Sequence, residues 1–112
     1  MKIEWNEVRD EHKAGGDGIT VIRNLLTPAE LNGKCRLFAQ VTLEKGCSIG
    51  VHPHSGNAET YYILSGKASY TDDGEVYEVG SGETTYCADG HSHGIANAGD
   101  EPLVFMALII NS

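Results

Sequence analysis

Residues 46–66 read GCSIGVHPHSGNAETYYILSG, and this stretch decides how the rest of the chain is understood. In an extended strand, successive side chains alternate between faces, so His52 and His54 aim at one point. Ser55-Gly56-Asn57-Ala58 is small and polar enough to reverse the chain. Glu59 then opens a second run, where its carboxylate could complete a site begun by the two imidazoles. The same alternation sends Tyr61 and Ile63 to the side of Glu59, and places Ile49 and Val51 together behind the ligand face.

Outward from that stretch the pattern is of short strands parted by turn residues. Cys35–Leu43 leads through Glu44-Lys45-Gly46 into Cys47–Pro53. Glu59–Ser65 and Lys67–Thr71 are split at Gly66, and Asp72-Asp73-Gly74 is a hairpin turn into Glu75–Val79. Glu83–Cys87, His91–Asn97 and the apolar Leu103–Ile110 follow, each behind its own turn. Upstream, the first 18 residues are polar and read as a loop, Ile19–Leu26 is β-prone, and Thr27-Pro28 caps a single helical turn. Strands of this length and spacing mean an all-β sandwich or barrel.

With 112 residues the chain makes one domain, in which 1–34 form an N-terminal segment and 35–110 the barrel. Its 14 glycines, without a repeating period, match the many tight turns. The net charge of −8 is unevenly spread, because residues 68–112 hold eight Asp or Glu and no Lys or Arg. Such a half repels phosphate backbones and anionic lipid, so neither nucleic acid nor membrane is expected as a partner. Met1–Lys13 lacks the apolar core of a signal peptide, and Leu103–Ile110 is too short to span a bilayer. Three cysteines (Cys35, Cys47, Cys87) make an odd count with no close pair, as in a cytoplasmic protein with free thiols.

Two spacings extend the reading. Gly46, five residues, His52, one residue, His54, four residues, Glu59, six residues and Gly66 form the first. Gly82, five residues, Ala88, one residue, Gly90, two residues, His93, three residues and Asn97 form the second. Together they resemble the paired motifs of the cupin superfamily over about residues 35–110, with Ala88 standing where that family usually has proline. Proline there supplies rigidity and no ligand, so the departure loosens a turn and leaves the metal site alone. The resemblance implies a jelly-roll barrel of two facing sheets, with His52, His54, Glu59 and His93 holding a divalent metal. Three imidazoles and a carboxylate suit Fe, Mn, Ni, Cu or Zn, and suit Mg or Ca poorly. It also implies a homodimer, in which Ile19–Leu26 would be the strand packed on the partner.

Other residues bear on chemistry. Tyr61 is a candidate hydrogen-bond donor beside the metal, and His91, near the Gly90 turn, a candidate proton carrier at the rim. Gln40 either lines the cavity or faces solvent, and Cys87 is either a small buried hydrophobe or a thiol facing the cavity. His12 reads as surface, Trp5 as a packing anchor for the N-terminal segment, and Asn97 as a turn-bonding side chain. The expected cavity is small. The function expected first is that of a metal-dependent enzyme on a small polar oxygenated metabolite, of dioxygenase, isomerase, decarboxylase or lyase type. A non-catalytic small-ligand-binding or sensor barrel is the alternative, and a storage or structural barrel the third.

Overall fold

A computed structural model describes all of residues 1–112. The turn chemistry acts where the sequence places it. Asp73 (φ 48°) and Gly74 (φ 86°) both take the left-handed backbone that a two-residue hairpin turn needs, and Asp72 pairs with Glu75 across it. Ten strands result: β1 (Asn6–Glu11), β2 (Ile19–Asn24), β3 (Cys35–Leu43), β4 (Ser48–Pro53), β5 (Asn57–Ser65), β6 (Lys67–Asp72), β7 (Glu75–Gly80), β8 (Thr84–Cys87), β9 (Ser92–Asn97) and β10 (Leu103–Asn111). One short helix, α1 (Pro28–Leu31), has proline in its first turn, and Glu30 accepts the Thr27 backbone N–H at 2.9 Å.

The strands form a six-stranded sheet, β1-β2-β3-β10-β5-β8, facing a four-stranded sheet, β4-β9-β6-β7, with every pairing antiparallel. This is the all-β jelly-roll barrel expected from the strand pattern and the resemblance. No helix is long and apolar enough to cross a membrane. Between the sheets lies the core, in which Leu43, Ile63, Ala68, Tyr70, Leu103 and Phe105 are wholly buried. Alternation accounts for it: Ala39, Val41 and Leu43 point inward from β3 and Leu103, Phe105 and Ala107 from β10.

Two features depart from the sequence reading. Asn6–Glu11 is a strand, not a loop, although it is exposed along nearly its whole length. Its ladder with β2 supplies the order that its polar side chains do not advertise, and β2 also pairs with β3 of its own chain. Trp5, half exposed, packs its ring 4.0 Å beneath the Arg23 guanidinium of β2. The second departure is in β4, where strict alternation fails. The register with β9 shifts between Ile49 and His52, so both residues turn inward while Val51 stays 57% exposed.

That shift coincides with a close backbone approach. A short 3-10 turn at Lys13–Gly15 docks on β4, where a Cβ on Gly50 would stand 2.0 Å from the Ala14 carbonyl oxygen and one on Gly16 would stand 2.2 Å from that of Ser48. Only glycine at both positions permits the contact. The N-terminal segment thereby becomes one wall of the barrel's central cavity.

Candidate metal centre

Each sheet contributes to one convergent cluster. His52 comes from β4, His54 from the residue just past it, His93 from β9 in the same sheet, and Glu59 from β5 in the facing sheet. His52 and His93 are direct partners in the β4–β9 register, which sets their rings side by side. One ligand atom from each of the four lies within 4.8 Å of all the others, so the four residues named from the sequence are brought together and could hold a divalent metal.

Hydrogen bonds at the far side of each ring decide which nitrogen faces the centre. His52 Nδ1 donates to the Gly50 carbonyl at 2.7 Å, and His54 Nδ1 to the Asn57 amide oxygen at 2.5 Å. His93 Nδ1 meets the Tyr70 hydroxyl at 2.7 Å. The Nε2 atoms therefore turn inward. His54 and His93 Nε2 lie 3.1 and 3.0 Å from Glu59 Oε1 and 3.1 Å from each other, and His52 Nε2 lies 3.8 Å from Glu59. Four electron-pair donors at such separations need protons or a cation among them, and the donor set fits a first-row transition metal.

The electrostatics agree. Burial alone would raise the Glu59 carboxyl, yet the neighbouring imidazoles of His52 and His93 bring it down to about 2. The Glu59 carboxylate 3.8 Å away raises the His52 pKa, whereas burial lowers that of His93, whose ring is wholly inaccessible. Tyr61 stacks on the His93 ring (centroids 4.9 Å apart, planes at 15°), and burial, followed by the Glu59 charge, lifts its phenol well above the ordinary range.

A cavity of about 560 Å³ reaches the cluster, larger than the small one expected, because the small side chains of Ala14, Ser55 and Ala107 line it. Among its other lining residues are Lys13, Arg36, Ile49 and Tyr61. Gln40 is absent from it: the residue lies on the outward side of β3, in register with Arg23 and Met106. Cys87 pairs with Glu59 across β5 and β8 and is buried, but it borders a separate recess with Asp72, Asp73 and His91. Burial and the Asp73 charge push its thiol up to about 11, which suits a small hydrophobe and not a nucleophile. His91 is exposed at the rim, its Nδ1 donating to Asp73. Asn97 bonds the carbonyls of Leu43 (2.9 Å) and Glu101 (2.8 Å), closing the turn as expected.

Sequence reasoning missed Asn57, Tyr70 and Lys13. Tyr70 was within reach of it, since inward parity from Ala68 in β6 points to it. Lys13 carried no local signal, because only the glycine-dependent docking of its turn brings it to the cavity.

A two-sheet jelly roll with three imidazoles and a carboxylate converging between its sheets defines a class of barrel whose central cluster could hold a divalent metal. Residues 39–109 match the cupin domain family model, and the chain belongs to that family. It is 37% identical to the oxalate-binding protein of Thermotoga maritima, over 98% of this chain and 93% of that one. A solved structure from the same organism, described as a predicted oxalate decarboxylase, superposes with a TM-score of 0.93 at 35% identity, covering 100% of this chain and 97% of the other. An uncharacterised protein of Methanocaldococcus jannaschii is 32% identical over 92% of this chain and 80% of its own length.

Proposed function

We propose that the cluster holds a divalent transition metal (Fe, Mn, Ni, Zn or Cu) and that the chain binds, through it, a small carboxylate able to chelate with two oxygens, oxalate being the shortest. One observation carries this reading: the cavity lined by His52, His54 and Glu59 is also lined by Arg36 and by Lys13, whose ammonium bonds Asp10 at 3.3 Å, while the only carboxylate of the cluster is already engaged. A ligand with a second anionic group would meet a guanidinium or ammonium there while its first group faces the cluster. The 37% identity to a protein named for oxalate binding points the same way. When bound, the ion supplies a Lewis acid with roughly two octahedral positions left for ligand oxygens. Ile49, Ile109 and Ala107 line the cavity with apolar surface, which strengthens the charge interactions of whatever enters.

Turnover of the bound carboxylate is the second reading, favoured by Tyr61, a proton-bearing group that lines the cavity beside Glu59. The reaction class (decarboxylase, isomerase, lyase or dioxygenase) follows from the metal and from the proton supply. Tyr61 is nearer to that supply than His91, which sits outside the cavity.

The chain is further proposed to be a homodimer in a reducing, cytoplasmic compartment. Three free thiols support the compartment. The dimer is supported by the outward faces of β5, β8 and β10, where Tyr62, Leu64, Tyr86 and Ile110 are each at least 40% exposed. The exposed β1–β2 hairpin extends the same sheet and would pack on the second copy.

Calorimetric titration of oxalate into metal-free and metal-loaded protein tests the ligand reading, with a parallel assay for formate and carbon dioxide. Oxalate is expected to bind the loaded protein at least about tenfold more tightly, and Arg36→Ala to weaken it by a similar factor. Equal affinity with and without metal would overturn the proposal. Formate release would favour the enzymatic reading over simple capture.

A further inference from the structure

The strand register sets Arg36 well apart from the cluster, and the surface between them is apolar. Ile109 of β10 stands opposite Glu59 of β5 on one side and opposite Leu37 of β3 on the other. Glu59, Ile109 and Leu37 thus form a row across the six-stranded sheet, and all three line the cavity. Neighbouring strands lie about 4.8 Å apart, so Leu37 stands roughly 10 Å from Glu59 along that row.

Arg36 is carried to the far end of the row by a bulge. Leu37 pairs with Ile109 and Cys35 with Ile110, which leaves Arg36 as the extra residue on β3. Strict alternation would send it outward with Phe38; the bulge instead brings it to the cavity wall. It enters no ion pair with a carboxylate of the chain, whereas Lys13 is held by Asp10 at 3.3 Å. Arg36 is therefore the cation left for a ligand.

Oxalate fits such a site poorly. Its two carbons are about 1.5 Å apart, so a molecule chelating at the cluster covers neither Ile109 nor Leu37. It would also leave most of the cavity of about 560 Å³ to water. We propose that the cavity selects a longer dicarboxylate, a 2-oxo or 2-hydroxy acid with a short methylene spacer. The head chelates at the cluster, the methylenes lie on Ile109 and Leu37, and the distal carboxylate pairs with Arg36. This rests on the reading that the cluster binds a chelating carboxylate, and adds to it the length of the ligand and the place of its second charge.

Calorimetric titration of the full chain, manganese-loaded and metal-free, compares three probes: oxalate, 2-oxopentanedioate, and 2-oxopentanoate, which lacks the distal carboxylate. The loaded protein is expected to bind 2-oxopentanedioate about tenfold or more tightly than oxalate, since each buried methylene contributes about fourfold. It is expected to bind it about fivefold more tightly than 2-oxopentanoate. Arg36→Ala should bring this second ratio to about one. Ile109→Thr, which keeps the β-branched shape, should lower the first ratio about threefold or more. Ratios taken within one variant cancel a general loss of the site. Oxalate bound as tightly as 2-oxopentanedioate, or a second ratio unchanged in Arg36→Ala, overturns the longer ligand and leaves the oxalate reading standing. Equal affinities for loaded and metal-free protein overturn chelation at the cluster, and the two ratios still decide the length. Failure of all three probes to bind overturns both.

Discussion

His93 is wholly buried and touches Glu59, His54, Tyr61 and Tyr70 within one ring's reach, so its replacement is felt across the cluster. His93→Ala is expected to abolish stoichiometric metal, and His52→Ala to do the same. Elemental analysis of protein purified without a chelating tag checks both, and full occupancy in either variant would refute the ligand set. Protons compete with the ion for the same lone pairs. Because the neighbouring Glu59 carboxylate raises His52 above the ordinary imidazole value of 6.5, that competition begins above pH 6.5 as the medium is acidified. Metal affinity should therefore fall continuously from about pH 8 to pH 5, and a flat profile would contradict imidazole ligation. Without metal the signs divide. His52 stabilises the fold below about pH 6.5, and this is lost as pH rises through its elevated folded value. Glu59 stabilises the fold above its ordinary 4.5, and this is lost only as pH falls toward about 2. The convergence of the four residues was legible in the sequence because strand parity and spacing are local quantities. Tyr70 and Asn57 were not singled out, since what they do depends on which ring nitrogen they face.

At the level of elements, the strands from β3 to β10 lie where alternation and turn residues place them, most within a residue or two of the expected ends. β4 broke the rule for a reason no pattern within the strand reveals: its partner in the contact is a turn more than thirty residues upstream. Gly50→Ala tests that junction. The added methyl would collide with the Ala14 carbonyl, and a loss of about 1–3 kcal/mol in urea unfolding is expected, accompanied by weaker ligand binding as the Lys13 wall lifts. Unchanged ligand affinity in a destabilised Gly50→Ala would mean that Lys13 plays no part in the cavity. β1 escaped notice for the complementary reason, since a strand exposed on both faces carries no hydrophobic alternation to read.

For the whole molecule, two surfaces compete for explanation. The acidic second half gives the four-stranded sheet and its hairpins a strongly negative exterior, whereas the outward faces of β5, β8 and β10 are apolar. A second copy covering those faces predicts a dimeric mass by light scattering, and Tyr62→Asp combined with Leu64→Asp should shift it to monomer. A wild-type monomer at tens of micromolar would refute the dimer. Sequence reading reached the two-sheet architecture through the paired motifs. It could not foresee the cavity's size, which depends on how three distant segments, around Ala14, Ser55 and Ala107, meet.

The cluster draws ligands from both sheets, with Glu59 on one and His52 and His93 on the other. An ion there would act as a cross-brace, tying together two layers otherwise held mainly by contact between their side chains. Unfolding would then have to release the ion before the layers part, and resistance to heat would rise with free metal, by about 2.7 kcal/mol at a hundred times the dissociation constant. The melting temperature of this barrel would thus serve as a gauge of the metal activity in its surroundings.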